Sequence, residues 1–89
     1  MGKVDCFNLN GIYCWFYSQE HRPPHFHAKR KGQWEVRVFF QMGRTNMIQW
    51  KKGPASRIDK RDADALCRMA ELHRAELLGE WEEKVCCDG

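Results

Sequence analysis

The apolar residues change period once along the chain, and that change fixes the fold class. From His25 to Phe40 they recur at every second position: Phe26 and Ala28 share one side of an extended segment, and Trp34, Val36, Val38 and Phe40 share one side of the next. From Leu66 to Trp81 they recur at every third or fourth position, through Met69, Ala70, His73 and Leu77, which is the stripe of a helix laid on a sheet. Strands first and a helix last predict an α+β domain. Its sheet, small and mainly antiparallel with three to four strands, occupies about 12–51, and one long C-terminal helix occupies about 59–84. With 89 residues, 43% of them hydrophobic, the chain has material for one such core and no second domain.

The segments follow in order. Met1 to Gly11 reads as a lead-in ending in a turn at Asn8, Asn10 and Gly11. Ile12 to Tyr17 is short, aromatic and apolar on both sides, the pattern of a buried strand. Ser18 to Pro24 ends in two prolines that donate no backbone hydrogen bond, so it is a loop. His25 to Arg30 is the next strand, Lys31-Gly32-Gln33 a hairpin turn, and Trp34 to Phe40 the clearest strand. Met42 to Asn46 turns the chain, and Met47 to Lys51 supplies a short fourth strand ended by Gly53-Pro54. Asp59 suits a helix N-cap, with Asp62 in the first turn.

Several function classes are disfavoured. The longest apolar run, Ile12 to Tyr17, is far short of the roughly 20 residues of a membrane-spanning helix, and the N-terminus lacks an apolar signal core. A soluble cytoplasmic protein without a membrane partner is therefore expected. Five cysteines form an odd set without CxxC spacing, against both a complete disulfide framework and a zinc ribbon. Charge is unevenly placed: residues 1–61 carry 12 Lys/Arg against 4 Asp/Glu, and residues 62–89 carry 3 against 8. The basic part could meet phosphates or an acidic partner, or be neutralised by the acidic tail.

Chemistry concentrates in EHRPPHFHA, Glu20 to Ala28, which holds three of the four histidines. At i and i+2 of a strand, His25 and His27 point the same way with Cα atoms about 6.5 Å apart, so they can converge on one ion or phosphate. A divalent transition metal such as zinc needs a third ligand. In a polyproline conformation His21 would be about 12 Å from His25, too far to share an ion. His73, on the helix stripe, completes a His25, His27, His73 set if the helix covers their side of the sheet. If the helix instead covers Phe26 and Ala28, His25 and His27 face solvent and His73 is a core histidine. Three roles stay open: structural hydrogen bonding, metal binding, and phosphate chemistry with His25 and His27 as the catalytic pair. In the last, His21, Arg22, Lys29 and Arg30 hold an anionic ligand.

Trp34, Trp50, Phe39 and Phe40, interleaved with Arg37, Arg44, Lys51 and Lys52, could form a stacking platform for single-stranded nucleic acid. A chain this small needs most of its large apolar side chains inside, which favours a core role for these aromatics. A single helix covers one face of a sheet, so the other face is expected to meet a second copy or a partner protein.

EHRPPHFHA, together with AELHRAELLGEW from Ala70 to Trp81, resembles the small bacterial family named domain of unknown function 4160. Its members show a D/E-H-x-P-P-H-F-H-A segment after an aromatic strand and a helix of pattern E-L-H-R-x-E-L-L-x-x-W. The resemblance runs from about Ile12 to Lys84, and the chain departs from it over Trp34 to Ser56, which is more aromatic and more basic. It implies a toxin-antitoxin-type setting, since members often lie beside another small domain in such an arrangement. The expected function is a toxin-antitoxin-type module with a histidine site for an anionic ligand or metal, directed at nucleic acid. The alternative is a non-enzymatic binding module for nucleic acid or a protein, with structural histidines.

Overall fold

The structure, a computed structural model, describes residues 2–21, 23–50 and 58–87. It is α+β. Strands β1 (Gly2–Lys3), β2 (Tyr13–Phe16), β3 (Gln19–Glu20), β4 (Phe26–Arg30) and β5 (Trp34–Val38) are followed by the one-turn helix α1 (Arg44–Met47) and strand β6 (Ile48–Trp50). Helices α2 (Lys60–Leu72) and α3 (Arg74–Lys84) and the short strand β7 (Cys86–Cys87) complete the chain. Five strands form an antiparallel sheet in the order β1-β2-β4-β5-β6, while β3 and β7 pair in parallel as a separate ribbon.

Strand alternation decides which side chains enter the core. Cys14 is opposite Ala28, Ala28 opposite Val36, and Phe26 opposite Val38. All are buried in one cluster with Phe16, Trp34 and Phe40 of the sheet side and Leu66, Ala70, Leu77 and Trp81 of the helices. The opposite parity carries Trp15, His27 and Arg37 in one row and Tyr13, Lys29 and Glu35 in the next. The β4–β5 hairpin closes as expected at 31–33: Gly32 takes φ 77°, and the Gln33 N–H donates to the Arg30 carbonyl.

Asp59 caps α2, accepting from the Arg61 N–H. The expected uninterrupted helix over 59–84 is two helices, broken at His73 (φ −109°, ψ 23°). Its apolar stripe keeps helical spacing across the break, so nothing in that spacing reports it. His73 ends α2, its N–H donating to the Met69 carbonyl, and starts α3, its Nδ1 lying 2.8 Å from a Glu76 carboxylate oxygen. That contact joins two side chains one turn apart and caps no backbone N–H of α3.

Two other expectations are corrected. The first eleven residues are not only a lead-in: β1 extends the sheet on β2, and Val4 is buried. Lys84 and Glu80 of α3 clamp this segment, Lys84 donating to the Lys3 carbonyl and to Asp5, and Glu80 accepting from the Asp5 and Cys6 N–H groups. The turn expected at Met42 to Asn46 holds α1, and β6 follows where the fourth strand was expected. Lys51, Lys52 and Gly53-Pro54 lie outside the described residues. Among the described residues, no helix is long and apolar enough to cross a membrane.

Candidate metal centre

His27 lies inside β4, and His25 just before it on the same side of the chain's alternation. The loop between β3 and β4 turns so that Glu20, the last residue of β3, faces both rings. One Glu20 oxygen is 2.5 Å from His27 Nε2 and the other is 3.4 Å from His25 Nε2. The candidate ligand atoms of the three residues all lie within 4.8 Å of one another. The side chains of His25, His27 and Glu20 are 6%, 2% and 16% exposed, so the carboxylate is the part nearest solvent.

Aromatic rings enclose the cluster. His27 stacks on Trp15 at 5.4 Å and meets Tyr17 edge-on at 4.5 Å, while His25 stacks on Phe39 at 4.7 Å and leans against Trp81 at 5.5 Å. The centre is thus a carboxylate and two imidazoles in an apolar box.

The tautomer of His25 follows from its other bond. The Pro23 carbonyl can only accept, so His25 Nδ1, 2.9 Å away, is the N–H donor. In the neutral ring Nε2 is then a lone pair, and it faces a carboxylate oxygen. Two acceptors opposed in an apolar box cost free energy unless something positive stands between them. A proton on Nε2 or a bound cation would fill that role.

The donor set suits a divalent transition metal: two imidazole nitrogens and one carboxylate, with a fourth position left for water or a ligand. Metal–ligand bonds of about 2.1 Å in a tetrahedral site hold ligand atoms about 3.4 Å apart. His25 and Glu20 already have that separation. Glu20 would withdraw from His27 by about 1 Å to match it, and it stands at the solvent edge of the box. Neither Cys6 nor Cys14 is a member of this cluster. Burial pushes Cys14 up to about 12, and burial with the neighbouring Glu80 and Glu76 pushes Cys6 to about 12, so in the metal-free protein both stay protonated at neutral pH.

The residues singled out from the sequence divide. His25 and His27 come together, and the third member is Glu20, not His73. His73 packs against Phe7, which in turn packs on Phe26, and is bonded to Glu76. Neither sequence geometry holds whole: the helices cover Phe26 and Ala28, yet His25 and His27 are buried by a second aromatic layer. His21 is exposed and stands apart from the cluster, and Arg22 lies outside the described residues. Lys29 is exposed, its Nζ 5.5 Å above the Trp15 ring. Arg30 is committed to the fold, forking onto both oxygens of Asp62 at 2.9 Å. Trp34, Phe39 and Phe40 are buried, so they form no stacking platform.

Glu20 was in the motif but carried no expected role. Its partnership depends on how the Pro23-Pro24 loop turns, and local spacing does not report that. The available signal was chemical: two converging imidazoles enclosed by aromatic side chains call for a nearby carboxylate. A family model matches residues 11–82. No curated protein and no solved structure matches the chain. That match covers most of the 89 residues, and the chain belongs to the family described as domain of unknown function 4160.

Proposed function

We propose that this protein is a small metal-binding module in which Glu20, His25 and His27 hold one divalent transition metal, zinc before others. The Glu20 carboxylate facing both buried imidazoles carries this reading. His25 presents a lone pair toward that carboxylate because Pro23 holds its other nitrogen, and a metal ion relieves the opposition while using all three groups as ligands. Rings this deeply enclosed cannot touch the phosphates of a polymer directly, which weighs against His25 and His27 as a bare acid–base pair. The ion would join the β3–β7 ribbon, through Glu20, to the main sheet. Three protein ligands would leave one position of a four-coordinate ion for water or a ligand. The toxin-antitoxin-type setting belongs to this proposal through the family resemblance, a cytoplasmic location through the odd cysteine set without CxxC spacing, and a partner protein or second copy through the sheet face that a helix layer on one side leaves.

A second reading has its own support. The short Glu20–His27 bond and the Pro23–His25 bond satisfy much of the cluster without any ion, as in a binding module with structural histidines. Calorimetric titration of zinc into tag-free, chelator-treated protein separates the two. The metal reading predicts one equivalent bound, with protons released, and loss of binding in His25→Ala and Glu20→Gln. Absence of stoichiometric binding in folded wild-type protein would leave the histidines structural.

A further inference from the structure

We propose that a cleft on the β1–β2 side of the sheet binds one nucleotide of a single-stranded nucleic acid, with its phosphate on Lys3, Lys29 and Lys31 and its base on Tyr13. The proposal does not depend on the metal centre. The cleft has a volume of about 340 Å³, and among the described residues its wall contains these three lysines and no carboxylate. None of the three lysine side chains forms an ion pair among the described residues. That contrasts with the other basic groups: Arg30 is paired with Asp62, Arg44 with Glu71, and Lys84 with Asp5 and Glu80. Three cations around one concavity, with no ion pair among the described residues, repel one another and make it a site for an anion.

Tyr13 supplies the second half of the recognition. At 42% exposure it is one of two large hydrophobic side chains left open to solvent among the described residues, and it lines this same cleft. It is not loose: its ring lies on Trp15 at 5.3 Å with 20° between planes, and the Lys29 ammonium lies over that same tryptophan. A ring backed by another ring offers a prepared face to a flat base, and an ammonium held beside it meets the phosphate. Asn8 and Asn10, which also line the cleft, carry side-chain amides with both donors and acceptors suited to base edges. An acidic peptide would use the lysines but would have no use for the stacked tyrosine, so a nucleotide fits the whole surface better.

Of the aromatics considered for a stacking platform, Trp34, Phe39 and Phe40 are buried, as a core role requires, and that moves the question here. A second basic cleft, about 390 Å³ between α1 and α2, provides an internal control. It presents Arg44, Arg61 and Arg68 but contains Asp64 and no aromatic ring.

Fluorescence anisotropy with a labelled oligouridine of about ten nucleotides, near physiological salt, tests the proposal on the full chain. Lys29→Ala with Lys31→Ala should weaken binding at least tenfold and lower its salt slope, whereas Arg61→Ala with Arg68→Ala removes the same charge and should change binding less than twofold. Tyr13→Ala should weaken binding about tenfold while Tyr13→Phe restores it, with thermal melts showing that the variants remain folded. Competition should be strong with unlabelled strand, weaker with a mononucleotide, and weakest with inorganic phosphate or polyglutamate. Equal loss in the lysine and arginine pairs, no effect of Tyr13→Ala, polyglutamate competing as well as the strand, or no binding by wild-type protein would each overturn it.

Discussion

Replacing Glu20 by glutamine is the sharpest perturbation of the proposed centre, because it removes a ligand and a charge while keeping shape. In the metal-free Glu20→Gln protein the amide oxygen can still accept one hydrogen bond from His27, so the loss is the difference between a charge-assisted and a neutral bond, about 1 kcal/mol. For a domain of this size that lowers the melting temperature by about 4–8 °C. The zinc-loaded protein should respond far more. Zinc at a hundred times its dissociation constant stabilises the folded state by about 2.7 kcal/mol. That corresponds to a rise of about 10–20 °C in wild-type protein. Loss of one of three ligands should cost more than the roughly 10–100-fold that follows removal of outer-shell partners, so the same zinc concentration should shift the variant by only a few degrees. Melting curves of tag-free protein, with chelator and with zinc, read both numbers. A variant that gains as much from zinc as wild-type protein does, or a wild-type protein that gains nothing, would refute the assignment of Glu20 as a ligand.

Three further outcomes follow from the fold. Burial pushes the Glu80 carboxyl up, but hydrogen bonds from Lys84, from the Asp5 N–H and from Cys6 outweigh it and hold it below its ordinary value. A depressed carboxyl stabilises the fold above its unfolded value of about 4.3 and loses that contribution as pH falls through the folded value. Denaturant titrations between pH 6 and pH 3 should therefore show wild-type stability declining at the acid end, with a shallower decline in Glu80→Gln. Removing Arg30 and Asp62 singly and together should give a favourable coupling in a double-mutant cycle, larger than that of the exposed Arg44–Glu71 pair, since the Asp62 side chain is the less exposed acid. Gly11→Ala should destabilise by more than about 1 kcal/mol in the same titrations. Gly11 takes φ 79°, and a Cβ there would lie 2.4 Å from the Arg30 guanidinium.

Much of this architecture was legible in the sequence where one physical rule acts alone. Alternation gave β4, β5 and their hairpin, since one side of each strand must enter the core. The i, i+2 spacing gave the His25–His27 pair for the same reason. What was not legible depends on distant partners. Gly2–Lys3 has no pattern of its own and becomes a strand because Lys84 and Glu80 hold the segment against β2. The β3–β7 ribbon joins two dipeptides that are far apart in the chain. His73 looked like a ligand because it lies on the apolar stripe, yet the stripe faces Phe26 and Ala28, and strand parity sends His27 the other way. Glu20 was hidden by the loop, whose two prolines say that the chain leaves the strand but not where it returns.

X-ray absorption at the zinc edge, on tag-free protein loaded with one equivalent of zinc, tests the central claim most directly. The account predicts a first shell of nitrogen and oxygen at about 2.0–2.1 Å, with the outer-shell scattering of two imidazoles, lost in His25→Ala with His27→Ala. A first shell containing sulfur, a signal with no imidazole component, or protein that stays zinc-free after loading would contradict it.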